Sequence, residues 1–260
     1  MLIPDFGNPS SFFITFLVLF LIINTRFFLT AGFFYLFFYK WYKKKWFHKK
    51  INTRNYSPSQ LKREIKWSIM TALIFAFTGT MMFVIWQKGY TNIYLTFHSF
   101  DLFYIPFSLL LILGIHETYY YWMHRWMHLP KIFRLVHRVH HESKITTPFT
   151  ASSFHPLEAI LQGIFFPLIL LTIPMHLIVL GTLLTIMTVS SVINHLDIEI
   201  FPENFNRHNI GKWFIGATHH SLHHMKFKKN FGLYFTFWDK ILKTESESYD
   251  KLYDSVSRKK

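Results

Sequence analysis

The chain has 260 residues, of which 51% are hydrophobic, with 31 Phe, 13 Tyr and 8 Trp. That exceeds what a small soluble core hides and suits lipid contact, where aromatic residues also gather at the interfaces. The formal net charge of +14 sits beside apolar segments rather than along one face, which fits anionic lipid headgroups and argues against nucleic acid; the absence of cysteine excludes disulfides, thiolate metal sites and a cysteine nucleophile.

Residues 1–10 carry no Lys or Arg and lack the basic start of a cleaved signal peptide. Residues 11–39 are nearly all apolar, interrupted by Asn24, Thr25 and Arg26. A span needs about twenty residues, so this stretch is either one long tilted span or a span followed by an interfacial helix. Residues 40–66 hold ten Lys or Arg against one acid, Glu64, the signature of a cytoplasmic loop. Ser57-Pro58-Ser59 marks a helix start; a solvated basic linker is the competing reading. A second span runs from Trp67 to Trp86, and a third apolar segment covers residues 103–115, with Pro106 bending or starting its helix. Tyr119, Tyr120, Tyr121, Trp122 and Trp126 form either an interfacial belt or packing around a site. Thr146-Thr147-Pro148-Phe149 reads as a turn. Residues 157–194 are a further apolar block, long enough for two helices and interrupted at Pro167 and Pro174, which implies a hairpin within the membrane. A polar connection over 196–218 leads to the last histidine cluster, and the charged tail from Glu245 is expected to be mobile.

Fourteen of the sixteen histidines lie between His116 and His224. Their spine is His124-Arg125-Trp126-Met127-His128, then His137-Arg138-Val139-His140-His141, then His220-Ser221-Leu222-His223-His224. Residues three and four apart share a helix face, so each motif aims two or three imidazoles at one point, and neutral imidazole is a common metal ligand. One histidine pair is more often surface or core; three clusters, two with the same spacing, point to a dimetal centre. The fold class expected is all-α and integral to the membrane, with about four transmembrane helices and a cytoplasmic helical cap holding the histidine-rich dimetal site. Residues 1–66 form an N-terminal membrane segment with its basic loop, 67–244 the catalytic domain, and 245–260 the charged tail.

Magnesium, calcium and manganese prefer oxygen ligands, and the Glu-x-x-His pairs of soluble di-iron bundles are absent. Zinc held by imidazoles would make the protein a membrane-embedded lipid hydrolase, but zinc is satisfied by four ligands. Nine or so histidines suit two ions of higher coordination, and iron is the redox-capable candidate. Two ferrous ions with O2 as co-substrate would oxidise an unactivated C–H bond of a lipid delivered from the bilayer.

The run Tyr121-Trp122-Met123-His124-Arg125 through His128, with His137 to His141, Phe154-His155-Pro156-Leu157-Glu158, His220 to His224, Asn230-Phe231-Gly232 and Trp238-Asp239, resembles the fatty acid hydroxylase/sterol desaturase superfamily over residues 60–244. His219 through Met225 with Thr147-Pro148-Phe149 resembles methylsterol monooxygenases in particular; the rest is equally similar to sterol desaturases. The resemblance implies a non-haem di-iron oxidoreductase of lipid biosynthesis, with two Fe ions, O2 and a separate electron donor (cytochrome b5-like, ferredoxin or reductase); no Gly-rich dinucleotide fingerprint supplies electrons internally. It assigns His124, His128, His137, His140, His141, His220, His223 and His224 as catalytic ligands and His195 as a further one. His155 and His219 join the metal set as ligands or close neighbours. Glu117 and Glu158 either hold ligand imidazoles or are exposed helix charges, and Arg125 anchors the cap. Glu117 in place of the family's Asp, Phe231 in place of Tyr, and Lys243 before Thr244 in place of Gly are departures that spare the ligands. Hydroxylation and desaturation share the first hydrogen abstraction and stay undivided, as do sterol, fatty acyl and related substrates. The expected location is a bacterial inner membrane with the site on its cytoplasmic side.

Overall fold

A computed structural model describes residues 4–258; the first three residues and the last two of the charged tail lie outside the described residues. Seven helices carry the architecture: α1 (Pro9–Tyr35), α2 (Pro58–Gln87), α3 (Asp101–Met127), α4 (Pro156–Thr172), α5 (Leu177–Asn194), α6 (Ala217–Lys226) and α7 (Tyr249–Ser257). α1 with the wide turn that follows it, Pro9–Trp41 in all, and α2, α3 and α5 are each long and apolar enough to cross a membrane. α4 is a shorter apolar helix beside them. Large apolar side chains such as Phe13, Leu21, Leu29, Phe103 and Leu110 stay exposed, as lipid-facing residues do.

Local signals set the helix starts. Asn8 accepts from Ser10 N ahead of Pro9, and Ser57 accepts from Gln60 N ahead of Pro58. Each side chain satisfies an orphan amide, and proline at the first position costs no hydrogen bond. α1 is continuous through Asn24-Thr25-Arg26, and Asn24 and Thr30 return their side-chain donors to backbone carbonyls four residues earlier. α3 is longer than the apolar segment that announces it: it starts at Asp101, passes Pro106 and runs into the first histidine motif. Pro167 likewise lies inside α4. The real break is at Ile173-Pro174, between α4 and α5.

The α2–α3 and α4–α5 connections meet at the end of the bundle away from the histidine motifs. There β1 (Ile93–Tyr94) pairs in parallel with β2 (Met175–His176), and Asn92 N donates to Leu170 O at 2.9 Å. The opposite end carries the cap. Its basic segment is only partly a linker: Lys50 Nζ meets Asp197 Oδ2 at 3.0 Å in a buried ion pair, and Ile51 N donates to Asp197 O at 2.9 Å. α1 packs on later parts of the chain: Phe27 and Ala31 share a buried cluster with Phe149, Ala151 and Val192.

The tail corrects an expectation. It is not a loose end as far as it is described: α7 packs on α6 by burying Tyr249 and Tyr253 beside Leu222, and Arg207 pairs with Asp254 at 2.6 Å. Tyr249, Tyr253 and Val256, spaced four and three apart, give α7 one buried face. Its charges occupy the other.

Candidate metal centre

Four segments bring the histidines together. The last turn of α3 supplies His124 and His128. The second motif follows Pro130 and is not one regular helix: a wide turn over Phe133–His137 leads into a short helix, Arg138–His141. His195 caps the C-terminus of α5, and α6 carries His220, His223 and His224.

These nine residues form two groups. His124, His128, His137, His141 and His223 make one; His140, His195, His220 and His224 make the other, and the ligand atoms within each group lie within 4.8 Å of one another. The i, i+4 pair His124/His128 stays in one group. The adjacent pairs His140/His141 and His223/His224 split, one ring to each group. Neighbouring positions on a helix point about 100° apart, so each H-x-x-H-H motif serves both centres.

Three tautomers are set by the backbone. His124 donates its Nδ1 proton to Phe231 O at 2.8 Å, His223 to Lys229 O at 2.7 Å, and His195 to Ser191 O at 2.7 Å. Each Nε2 is then a bare lone pair. These lone pairs face other imidazoles: His223 Nε2 lies 3.0 Å from His128 Nε2 and 3.1 Å from His141 Nε2. In the second group, His195 Nε2 lies 3.2 Å from His140 Nε2 and 3.0 Å from His220 Nε2. Buried nitrogens without a protein partner include Nδ1 of His140, His141 and His220 and both nitrogens of His224. Buried polar atoms are rarely left unpaired, and Nε2 atoms that face one another across each group fit a shared cation. With metal–nitrogen bonds of about 2.1 Å, ligands at right angles lie about 3.0 Å apart and tetrahedral ones about 3.4 Å. The Nε2 pairs at 3.0–3.2 Å are close enough to share one ion, and five imidazoles exceed the four that satisfy zinc.

Burial, followed by the neighbouring imidazoles, holds His137, His140, His141, His220, His223 and His224 well below the usual histidine range, and burial pushes His195 down to about 4. All are therefore neutral near pH 7, as a ligand must be.

The two acids divide. Glu158 lies beside a ligand: its Oε1 is 2.9 Å from His137 Nδ1, both groups being inaccessible to solvent. The contact runs off the N–H axis. Glu117 touches no imidazole; its carboxylate accepts from Leu233 N at 3.1 Å and Tyr234 N at 2.7 Å. It fixes the strand-like run after Gly232, where a Cβ would come within 2.6 Å of Phe235 O and 2.9 Å of Glu117 Oε1. Asp239 receives Phe231 N and Gly232 N, both at 2.9 Å, which holds the Phe231 carbonyl against His124.

His155 and His219 fall outside both groups. His155 is the N-cap of α4, its Nδ1 accepting from Leu157 N. His219 is buried against Tyr249, and its Nε2 is 3.9 Å from both Asp239 and Glu245. Arg125 stacks on Trp122, 5.7 Å from the ring centroid. The aromatic run before the first motif splits: Tyr120 and Tyr121 are buried, whereas Trp122 and Trp126 are exposed.

The sequence reading missed Glu64. Fully buried in α2, it accepts from Thr147 Oγ1 at 2.5 Å, Thr150 Oγ1 at 2.9 Å and Gln60 Nε2 at 2.8 Å. It thereby clasps the turn that leads to Phe154. The only signal available was a lone acid at the start of a basic helix.

A cavity of about 570 Å³ lies among α1, α2, α4 and α5. Its walls are largely apolar, including Phe75, Phe83, Phe166 and Leu184, and it reaches His195. One residue thus belongs both to a ligand group and to a chamber opening among the membrane helices.

Helices long and apolar enough to cross a membrane, capped by two buried imidazole groups, define a membrane protein with a histidine-rich centre. The chain belongs to the fatty acid hydroxylase family, whose model matches residues 109–244. It is 29% identical over 197 residues to lathosterol oxidase of Homo sapiens, covering 75% of this chain and 64% of that protein. It is 28% identical over 211 residues to the Delta(7)-sterol 5(6)-desaturase of Eremothecium gossypii, covering 80% and 58%. With the C-4 methylsterol oxidase of Schizosaccharomyces pombe it shares 36% identity over 136 residues, covering 50% and 44%. The chain spans less than two thirds of the length of these relatives. No solved structure matches it.

Proposed function

We propose that the chain is an O2-dependent, non-haem di-iron oxidoreductase that hydroxylates or desaturates a membrane lipid. The observation that carries this reading is His195, which joins the group of four imidazoles and lines the apolar cavity. The relatives, named as oxidases and desaturases of sterols, support the same class of chemistry.

His124, His128, His137, His141 and His223 would hold one ion, and His140, His195, His220 and His224 the other. Bound there, two ferrous ions would supply O2 activation and removal of hydrogen from an unactivated C–H bond. The chain's own residues do the rest. The carbonyls of Phe231, Lys229 and Ser191 hold three imidazoles with Nε2 inward, and Glu158 steadies His137. The apolar walls of the cavity keep bulk water from the centre and present the lipid's hydrocarbon to His195. A separate donor, cytochrome b5-like, ferredoxin or reductase, delivers electrons to the cap. The Lys-rich segments on the cap side favour a cytoplasmic site, and a bacterial inner membrane is the location we assign.

The test is metal analysis of the purified protein, oxygen uptake, and lipid profiling by mass spectrometry with and without the gene. Iron in both groups, with a lipid that gains one oxygen atom or loses two hydrogens, is the expected result. Zinc alone, with cleavage of a lipid ester and no oxygen uptake, would make the protein a hydrolase and end the proposal.

A further inference from the structure

His195 caps the C-terminus of α5, and two residues later Asp197 has a φ of 56°. A residue with a side chain seldom takes that left-handed conformation, and it persists where surrounding contacts over-determine it. Those contacts come from the stretch between α1 and α2. Lys50 Nζ lies 3.0 Å from Asp197 Oδ2, Asn52 N donates to Asp197 Oδ1 at 3.2 Å, and Ile51 N donates to Asp197 O at 2.9 Å. One residue nearer the ligand, the Tyr39 hydroxyl donates to Leu196 O. Leu196 and Ile198 are sealed from solvent against Tyr39 and Ile51. Of the ten Lys and Arg in residues 40–66, Lys50 alone is buried. Burying an ammonium is costly unless it is paired and hydrogen-bonded, and Lys50 also donates to Asn52 O and Arg54 O. A buried ion pair adds little net stability; one attested use is to hold one arrangement over its alternatives.

We infer that Lys50 is a positioning residue for His195: with Tyr39 it sets the path of the chain leaving α5, and hence where that imidazole stands in the group of four. Ser191 O fixes which nitrogen of His195 points inward, and the clamp on Leu196 and Asp197 fixes where that nitrogen lies. The nine grouped histidines all fall within residues 109–244, which the family model matches, whereas Tyr39 and Lys50 precede them. The N-terminal part of the chain thus governs one ligand of a centre to which it contributes none. The inference rests on the two groups holding metal, and it adds a control on the affinity of one of them.

The test is metal binding, not turnover. The full chain in detergent, stripped of metal, is titrated with Co2+ against a competing chelator; the visible absorption of cobalt reports its ligand geometry. The unmodified protein should take up two ions. Lys50→Met should weaken one of them about tenfold, alter its absorption at saturating cobalt, and leave the other ion as it was. In a His195→Ala background the same change should have no further effect on the ion that remains, because its route to the metal is gone. Arg207→Gln, which breaks the Arg207–Asp254 pair elsewhere in the cap, should leave both ions unchanged. A Lys50→Met protein with a lower Tm but the same two affinities and the same spectrum overturns the inference. So does equal weakening of both ions, an equal loss in Arg207→Gln, or a further loss in the His195→Ala background. Should Lys50→Met fail to fold, Tyr39→Phe decides, since it removes one hydroxyl from Leu196 O and leaves both charges: weakening of one ion alone supports the inference, and two unchanged ions overturn it. An unmodified protein that takes up no cobalt ends the metal reading and this inference with it, and that result shows before any variant is compared.

Discussion

Glu158 and His137 face each other across 2.9 Å, both sealed from solvent, and tie the first turn of α4 to the wide turn that carries the second histidine motif. A carboxylate beside Nδ1 orients the ring and raises the basicity of Nε2, which lies 3.1 Å from His124 Nε2 in the group of five. Glu158→Gln keeps the shape and removes the ionisable group. Metal affinity should fall about 10- to 100-fold, measured by competition with a chelator, while His137→Ala should lose the ion at that group outright. An unchanged affinity in Glu158→Gln would mean the acid serves packing alone.

Because the adjacent pairs split, single substitutions should separate the two centres. His128→Ala removes a ligand only from the group of five, and His195→Ala only from the group of four. Each should lower the metal content from two ions toward one, whereas the double variant should hold neither. Elemental analysis after dialysis reads this directly. Loss of all metal in either single variant would show that the groups load only as a unit.

His155 and His219 carry the same side chain as the nine grouped histidines yet fall outside both groups. His155→Ser should keep full metal content because Ser also caps a helix, and His155→Ala should cost about 1 kcal/mol of stability without touching the metal. Thermal unfolding in detergent alongside elemental analysis separates the two effects. A drop in metal for His155→Ser would return it to the ligand set.

Much of this was legible beforehand because helix periodicity and metal chemistry both leave short-range marks. Two H-x-x-H-H motifs and an H-x-x-x-H motif announce convergence, Ser57-Pro58 announces the start of α2, and apolar length announces four spans. His155 shows where residue type misleads: it precedes Pro156, and that dipeptide marks a helix N-terminus, a local signal outweighed by the surrounding histidines. What stayed hidden depends on contacts across the fold. Glu64 meets Thr147 and Thr150 more than eighty residues away, and no local spacing encodes that. Tyr249, Tyr253 and Val256 did carry a helical stripe, but the charges between them read as a solvated tail. Pro106 read as a bend or a start and Pro167 as an interruption because proline lacks an amide donor, and α3 and α4 run through both.

Glu64 should be among the costliest single residues to lose outside the histidines. Glu64→Ala strands the hydroxyls of Thr147 and Thr150, both buried, and opens a void in α2. The expected loss is about 3 kcal/mol, with Thr150→Val costing less because it removes two bonds, one to Glu64 and one from Thr147 N, and leaves the carboxylate two partners. Urea titration followed by tryptophan fluorescence gives the ranking. Equal costs for the two variants would place the clasp at Thr150 rather than at the acid.

The metal-stripped protein should lose stability on mild acidification, and the sign follows from the buried imidazoles. Burial keeps His195 neutral down to about 4 in the folded chain, whereas an unfolded chain protonates its histidines near the ordinary value of about 6.5. Below that value the unfolded state binds more protons, so stability falls as pH falls. The fall should run from about 6.5 to about 4 and then level for that residue. The other ligands, held well below the usual range, extend the slope further. The metal-loaded protein should start higher and fall more steeply, because protons also compete for the ligand nitrogens. Thermal unfolding of both forms across this range checks the sign, and a stripped protein that gained stability on acidification would show the imidazoles to be charged and paired with acids in the fold rather than buried and neutral.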